Sequence, residues 1–153
     1  MTRLTLCVPY ALRGASRPRA VRRGKHASVY MPEEHRAAEA DLVAQLRAAA
    51  EAQGWARVPR PGIVALTLRL YVARPQRETG RRWPDDPYPC GGKPDADNVA
   101  KLAMDAGTKA GLWDDDTQVA ALMVERWRSA KAGGPTSIIV AERLRTGCPG
   151  DPA

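Results

Sequence analysis

Apolar and polar residues alternate from residue 3 to 8, with Leu4, Leu6 and Val8 on one side, which predicts a first β-strand. The period changes at residue 33. Ala38, Leu42, Leu46 and Ala49 recur at helical spacing, Glu33 and Glu34 fall in a first turn where they suit the helix dipole, and Gly54 supplies a stop. Residues 33–53 therefore predict a helix. Alternation returns over 63–73, with Val64, Leu66, Leu68, Leu70 and Val72 on one face of a long strand. Val99, Leu102, Ala103, Ala106 and Ala110 predict a second helix over 98–110. Two more strands are expected at 117–128 and 136–143, joined by a turn around Gly133-Gly134-Pro135.

Two stretches carry no such period. Residues 9–32 read as loop, broken by Pro9, Gly14, Pro18 and Gly24, with Arg13, Arg17, Arg19, Arg22, Arg23 and Lys25 and no acidic residue before Glu33. Residues 74–94 read as a Pro/Gly-rich loop holding Arg74, Arg77, Arg81, Arg82 and Lys93. So long a structureless stretch inside a small domain points to function or mobility. The element order β-α-β-α-β-β has too few strands for a doubly wound sheet. It predicts an α+β fold, a two-layer α/β sandwich with a mixed four-stranded sheet and both helices on one face. A length of 153 residues suits one domain, expected over 1–145, with a frayed tail over 146–153.

Composition narrows the function classes. An apolar share of 44% supports a globular core, and with no Phe its aromatic part must come from four Trp and four Tyr. The net charge of +7 favours a polyanionic partner, nucleic acid ahead of an anionic membrane surface. Cys7, Cys90 and Cys148 are scattered and odd in number, and His26 and His35 complete no zinc spacing, so neither a disulfide framework nor a zinc site is expected. No apolar run approaches the roughly 20 residues that span a bilayer, and no long apolar signal region opens the chain. A cytoplasmic protein without membrane partners is the expectation.

The chemistry concentrates in residues 93–119, KPDADNVAKLAMDAGTKAGLWDDDTQV, which hold six of the seventeen acidic residues of a basic chain. Gathering anions costs self-repulsion unless cations sit among them, a first sign of a metal. If Asp95-Ala96-Asp97 is extended after Pro94, the two carboxylates point the same way, with Asp97 as N-cap of a helix starting at Asn98. Inside the helix they would diverge by about 200°. Lys101 and Asp105 follow Asp97 at steps of four, on one helix face. Parity leaves open which of Asp114, Asp115 and Asp116 joins the pair. Converging carboxylates suit Mg²⁺ or Mn²⁺ and, with them, phosphodiester hydrolysis, to which a nearby ammonium adds charge stabilisation. Each feature alone has an ordinary explanation: a helix cap, a solvated turn, an i,i+4 pair. Their conjunction is harder to explain that way.

Asp95-Ala96-Asp97-Asn98, Lys101, Asp105-Ala106 and Asp115-Asp116-Thr117-Gln118-Val119 resemble the signature of the RusA-type Holliday-junction resolvases: D-x-D-N, a Lys three beyond the Asn, D-A four beyond the Lys, then D-D-x-Q-[VI]. The spacing fits without a gap. Arg17-Pro18-Arg19 is similar to an Arg-Pro-Arg found near the start of many phage members. The resemblance implies an endodeoxyribonuclease that resolves Holliday junctions in DNA recombination and repair, acting as a homodimer. Asp95, Asp97 and Asp116 are then the Mg²⁺ (or Mn²⁺) ligands and catalytic carboxylates, Lys101 the essential lysine, and Asp115 a possible further ligand. Two symmetric nicks in a four-way junction require two sites, hence a C2 dimer. Arg17, Arg19, Arg22, Arg23, Lys25, Arg77, Arg81 and Arg82 are the candidate DNA contacts. Trp113 is expected in the core or an interface rather than stacked on a base. The chain departs from the family at Ala96, Val99 and Gly107; a glycine inside a helix should cost about 1 kcal/mol. Two other functions are compatible with the charge: a non-catalytic nucleic-acid-binding protein, with salt-sensitive binding indifferent to the aspartates, and a metal nuclease acting on other branched DNA.

Overall fold

The computed structural model describes residues 2–14, 19–23, 26–30 and 32–145. The expected tail over 146–153 lies outside them. The periodic segments fold as their patterns require. Strand β1 (Arg3–Val8), helix α1 (Glu33–Ala52) and strand β4 (Ile63–Val72) match the expected spans within a residue. Helix α2 covers Ala96–Ala110, and β6 (Val119–Arg128) and β7 (Thr136–Leu144) complete the main elements.

The sheet has five strands in the order β1-β7-β4-β6-β5, not four, because residues 74–94 contribute a two-residue strand β5 (Tyr88–Pro89) on the β6 edge. A second correction falls in residues 9–32. Part of that stretch is an antiparallel hairpin of β2 (Arg19–Arg23) and β3 (His26–Tyr30), which short Arg-rich strands without apolar alternation did not announce. The β4–β6 pairing is parallel, so the chain must cross over between them, and α2 is that crossover. β7 then returns antiparallel between β1 and β4.

One core lies between the sheet and both helices. Alternate residues of β4, from Val64 to Val72, are buried beneath Leu42 and Leu46 of α1 and Val99, Leu102, Ala103 and Ala106 of α2. The opposite face carries cross-strand ion pairs, Arg69–Glu125 at 2.5 Å and Arg3–Glu142 at 3.3 Å. Trp113 is buried in the core. It also accounts for Gly107: a Cβ there would lie 2.1 Å from the indole ring. The helix gives up propensity at that position so that the ring can pack against its backbone.

Among the described residues, no strand pairs with the outer edge of β6, the one away from β4, from Val119 to Glu125. The large exposed apolar side chains sit there. Leu122 (46% exposed) shares the helix-covered face with its neighbour Leu66, and Met123 (55% exposed) points to the other face. An open apolar strand edge is a ready-made pairing surface.

Candidate active site

Helix α2 carries the candidate residues Asp97, Lys101 and Asp105 along its length. Its N-cap is Asp95 (φ −67°, ψ 135°), two residues earlier than the sequence suggests, so Asp97 lies within the first turn and not at the cap. Neither carboxylate caps a backbone N–H. The approach to Asp95 is fixed from β6, where the Arg126 guanidinium donates to the carbonyls of Cys90 and Pro94. Lys101 stands one turn after Asp97 and pairs with Asp105 at 3.5 Å.

The second acidic cluster is held by a buried amide. Gln118 is 4% exposed and uses all four hydrogen-bonding positions. Its nitrogen donates to the carbonyls of Val58 and Gly62, and its oxygen accepts the backbone N–H groups of Asp114 and Asp115. Asp115 caps the short 3₁₀ turn Asp116–Gln118 by accepting from Thr117. That hydrogen bond, ahead of Arg60 2.8 Å away, holds its carboxyl below the usual aspartate range. Asp114 is lowered too, first by the Arg60 backbone N–H and then by Arg57 at 2.6 Å.

These partners sort the six acidic residues of the segment. Asp105 pairs with Lys101, Asp114 with Arg57, and Asp115 with Arg60. Asp95, Asp97 and Asp116 have no cationic partner among the described residues. Asp116 is exposed.

One chain does not gather all the carboxylates. Asp115 and Asp116 line a cleft with Asp105, Thr108 and Lys109, toward the end of α2. Asp97 lies in the first turn of α2, eight residues before Asp105 and so about 12 Å away along the axis, with Asp95 at the N-cap before it. No group of three or more His, Cys, Asp or Glu among the described residues is placed to hold a metal.

The candidate DNA contacts divide. Arg17 and Lys25 lie outside the described residues; Arg19, Arg22 and Arg23 fall on β2. Arg81 and Arg82 are exposed with no ion pair among the described residues, and Arg77 is exposed with a loose 3.6 Å pair to Glu78. Their loop is organised. Arg74 donates to the carbonyls of Ser129, Pro84, Asp85 and Asp86 and lies 4.9 Å over the Tyr88 ring, which stacks on Trp83. Buried Glu78 accepts from Tyr88 and pairs with Arg128 at 2.8 Å. Arg74 is thus an internal strut rather than a free phosphate contact.

Sequence reasoning missed Arg57, Arg60, Gln118 and Arg126 as supports. Only Gln118 left a signal, its place in the D-D-x-Q motif. The fold and site define a mixed-sheet α+β protein with an acidic crossover helix in a basic chain. Residues 9–139 match the family model for the endodeoxyribonuclease RusA, and the chain belongs to that family of Holliday-junction nucleases. No curated protein matches the chain.

Proposed function

We propose that the chain is a Mg²⁺-dependent resolvase, with Mn²⁺ as an alternative ion, that works as a C2 homodimer in DNA recombination and repair. The observation that carries it is the sorting of carboxylates: the three left without a cation, Asp95, Asp97 and Asp116, are those the family motif assigns to the metal. An all-oxygen donor set fits Mg²⁺ or Mn²⁺, and Asp115 is the further candidate ligand. Bound there, such an ion supplies an activated water and offsets charge on the phosphate.

The gap along α2 is closed by a second subunit. The free edge of β6 runs from Val119 to Glu125, with exposed Leu122 at its middle. Antiparallel pairing of two such edges about a two-fold at Leu122 continues the sheet and keeps both helix layers on one side. Pairing can then run as far as position 119 of one chain opposite position 125 of the other, where β5 begins, and the partner's turn before β6 is carried toward the 90–95 segment that Arg126 pins. Each site would draw Asp95 and Asp97 from one chain and Asp116 from the other. Lys101, one turn from Asp97, would stabilise the phosphate charge or protonate the leaving oxygen. Arg77, Arg81 and Arg82 with Arg17, Arg19, Arg22, Arg23 and Lys25 would hold backbone phosphates without reading sequence.

The cytoplasm of a bacterium, or of the bacterial host of a phage, goes with this function. No helix among the described residues is long and apolar enough to cross a membrane. Paired nicking of a synthetic four-way junction with Mg²⁺ and its loss in EDTA test the proposal, beside Asp97→Asn, which is expected to bind the junction without cutting. Cutting by Asp97→Asn at the wild-type rate refutes the site.

A further inference from the structure

A recess of about 750 Å³ opens beside the aspartate pair and has no role in the chemistry above. Its walls are mostly apolar: Tyr10, Leu12, Ala38, Leu102 and Pro94, the last adjoining Asp95. Arg13 and Lys93 also line it, both exposed and without an ion pair among the described residues. The walls are fixed in place. The fully buried Ser137 hydroxyl accepts the Leu12 N–H and donates to the Tyr10 carbonyl, each at 2.9 Å. The Tyr10 hydroxyl is held by Asp41 and Gln45, which anchors the side chain at the recess. Gly14 crosses the first turn of α2 so closely that a Cβ there would lie 2.7 Å from that of Asn98. The segment bearing Arg13 therefore passes directly over the turn that holds Asp97.

We propose that this recess receives an unstacked nucleotide next to the phosphate to be cut, with the base against the apolar walls and its flanking phosphates on Arg13 and Lys93. The inference rests on the nuclease function proposed above and deepens it. An apolar, preformed recess with a cationic rim matches a nucleotide, apolar on its base faces and anionic along its backbone. Unstacking costs least where the duplex stack is already interrupted, as it is at a branch point. The recess would thus select branched over linear DNA through deformation energy rather than through base-edge hydrogen bonds. Its walls offer no acceptor for such a code, since the Tyr10 hydroxyl is engaged and the other wall side chains are apolar, and the donors Arg13 and Lys93 are assigned to the flanking phosphates.

The test places 2-aminopurine in turn at each nucleotide flanking the crossover of a four-way junction and reads its fluorescence with saturating protein in EDTA. Wild-type protein should brighten the probe at one position on each cut strand. Ala38→Phe fills the recess from an exposed helix position. It should abolish the brightening and weaken junction binding by about 5- to 150-fold, the range for loss of one stacked base. Ala48→Phe, exposed elsewhere on α1, should change neither. Arg13→Gln provides a second probe at the rim, expected to weaken binding and dim the signal. No brightening at any position, or brightening and affinity that survive Ala38→Phe, overturns the subsite. Adding Mg²⁺ to the same samples separates the two proposals: cutting without brightening removes the subsite and leaves the nuclease, whereas brightening without cutting does the reverse.

Discussion

The Gln118 side-chain oxygen accepts the backbone N–H of Asp115 at 3.0 Å, from a position almost sealed from water. Through it the loop at Val58–Gly62 and the Asp114–Asp116 turn become one unit, and the exposed carboxylate of Asp116 inherits a fixed backbone. Gln118→Leu keeps the volume but strips partners from two N–H and two C=O groups. Each buried group left unpaired costs about 1–3 kcal/mol, so an unfolding loss of about 4 kcal/mol or more is expected by denaturant titration, together with weaker Mn²⁺ binding. An unchanged midpoint would remove Gln118 from this role.

Gly107→Ala tests a conflict between two terms. Helix propensity alone predicts a gain of about 1 kcal/mol. The Trp113 ring, 2.1 Å from the added carbon, predicts overpacking at about 1–3 kcal/mol. The second term should win, and the melting temperature should fall.

That glycine also marks how far the sequence could be read. Period-2 and period-3.6 patterns announced β1, β4, α1 and α2, since burial against one core writes itself into spacing. β2, β3 and β5 were not announced, because short strands on an edge or in a hairpin bury little and so need no alternation. The aspartates and Lys101 were visible as a motif. Their supports were not: Arg57 and Arg60 act across more than fifty residues of chain, and nothing in an aperiodic loop foretells which carboxylate an arginine will meet. The same blindness misplaced Arg74, which reads as one more loop cation until its four carbonyl partners are seen.

Acid should act through Asp114 and Asp115. Both fold with carboxyls below the ordinary value of 3.8, so the folded chain releases these protons more readily than the unfolded one. Their contribution is full above about pH 4 and is lost as the pH falls through the lower folded values. Arg57→Ala removes part of the cause for Asp114. Thermal melts should place the variant slightly below wild type at neutral pH and bring the two together in acid. A gap that widens in acid would contradict the assignment.

At the opposite end of the scale stands Tyr10, whose hydroxyl is pushed up to about 12 by burial and by the Asp41 carboxylate. The fold retains this proton where the unfolded chain has lost it, so stability should decline as the pH rises from 10 toward 12. Tyr10→Phe should flatten that decline. A decline that is unchanged in the variant would assign it to other groups.

Leu122→Glu puts a charge in the middle of the free β6 edge. The expected result by light scattering is a shift from twice the 16.6 kDa chain mass to a single chain, with junction cutting lost and the melt little changed, since the side chain is half exposed. A dimer that persists would place the interface elsewhere.

The shared site has its most direct test in mixed dimers. Asp97→Asn and Asp116→Asn homodimers should each be inactive on a four-way junction in Mg²⁺. After mixing and exchange of subunits, the heterodimer holds one site with both substitutions and one with neither, so single nicks should return. If each site lay within one chain, both sites of the heterodimer would carry a substitution, and the mixture would stay as inactive as its parents.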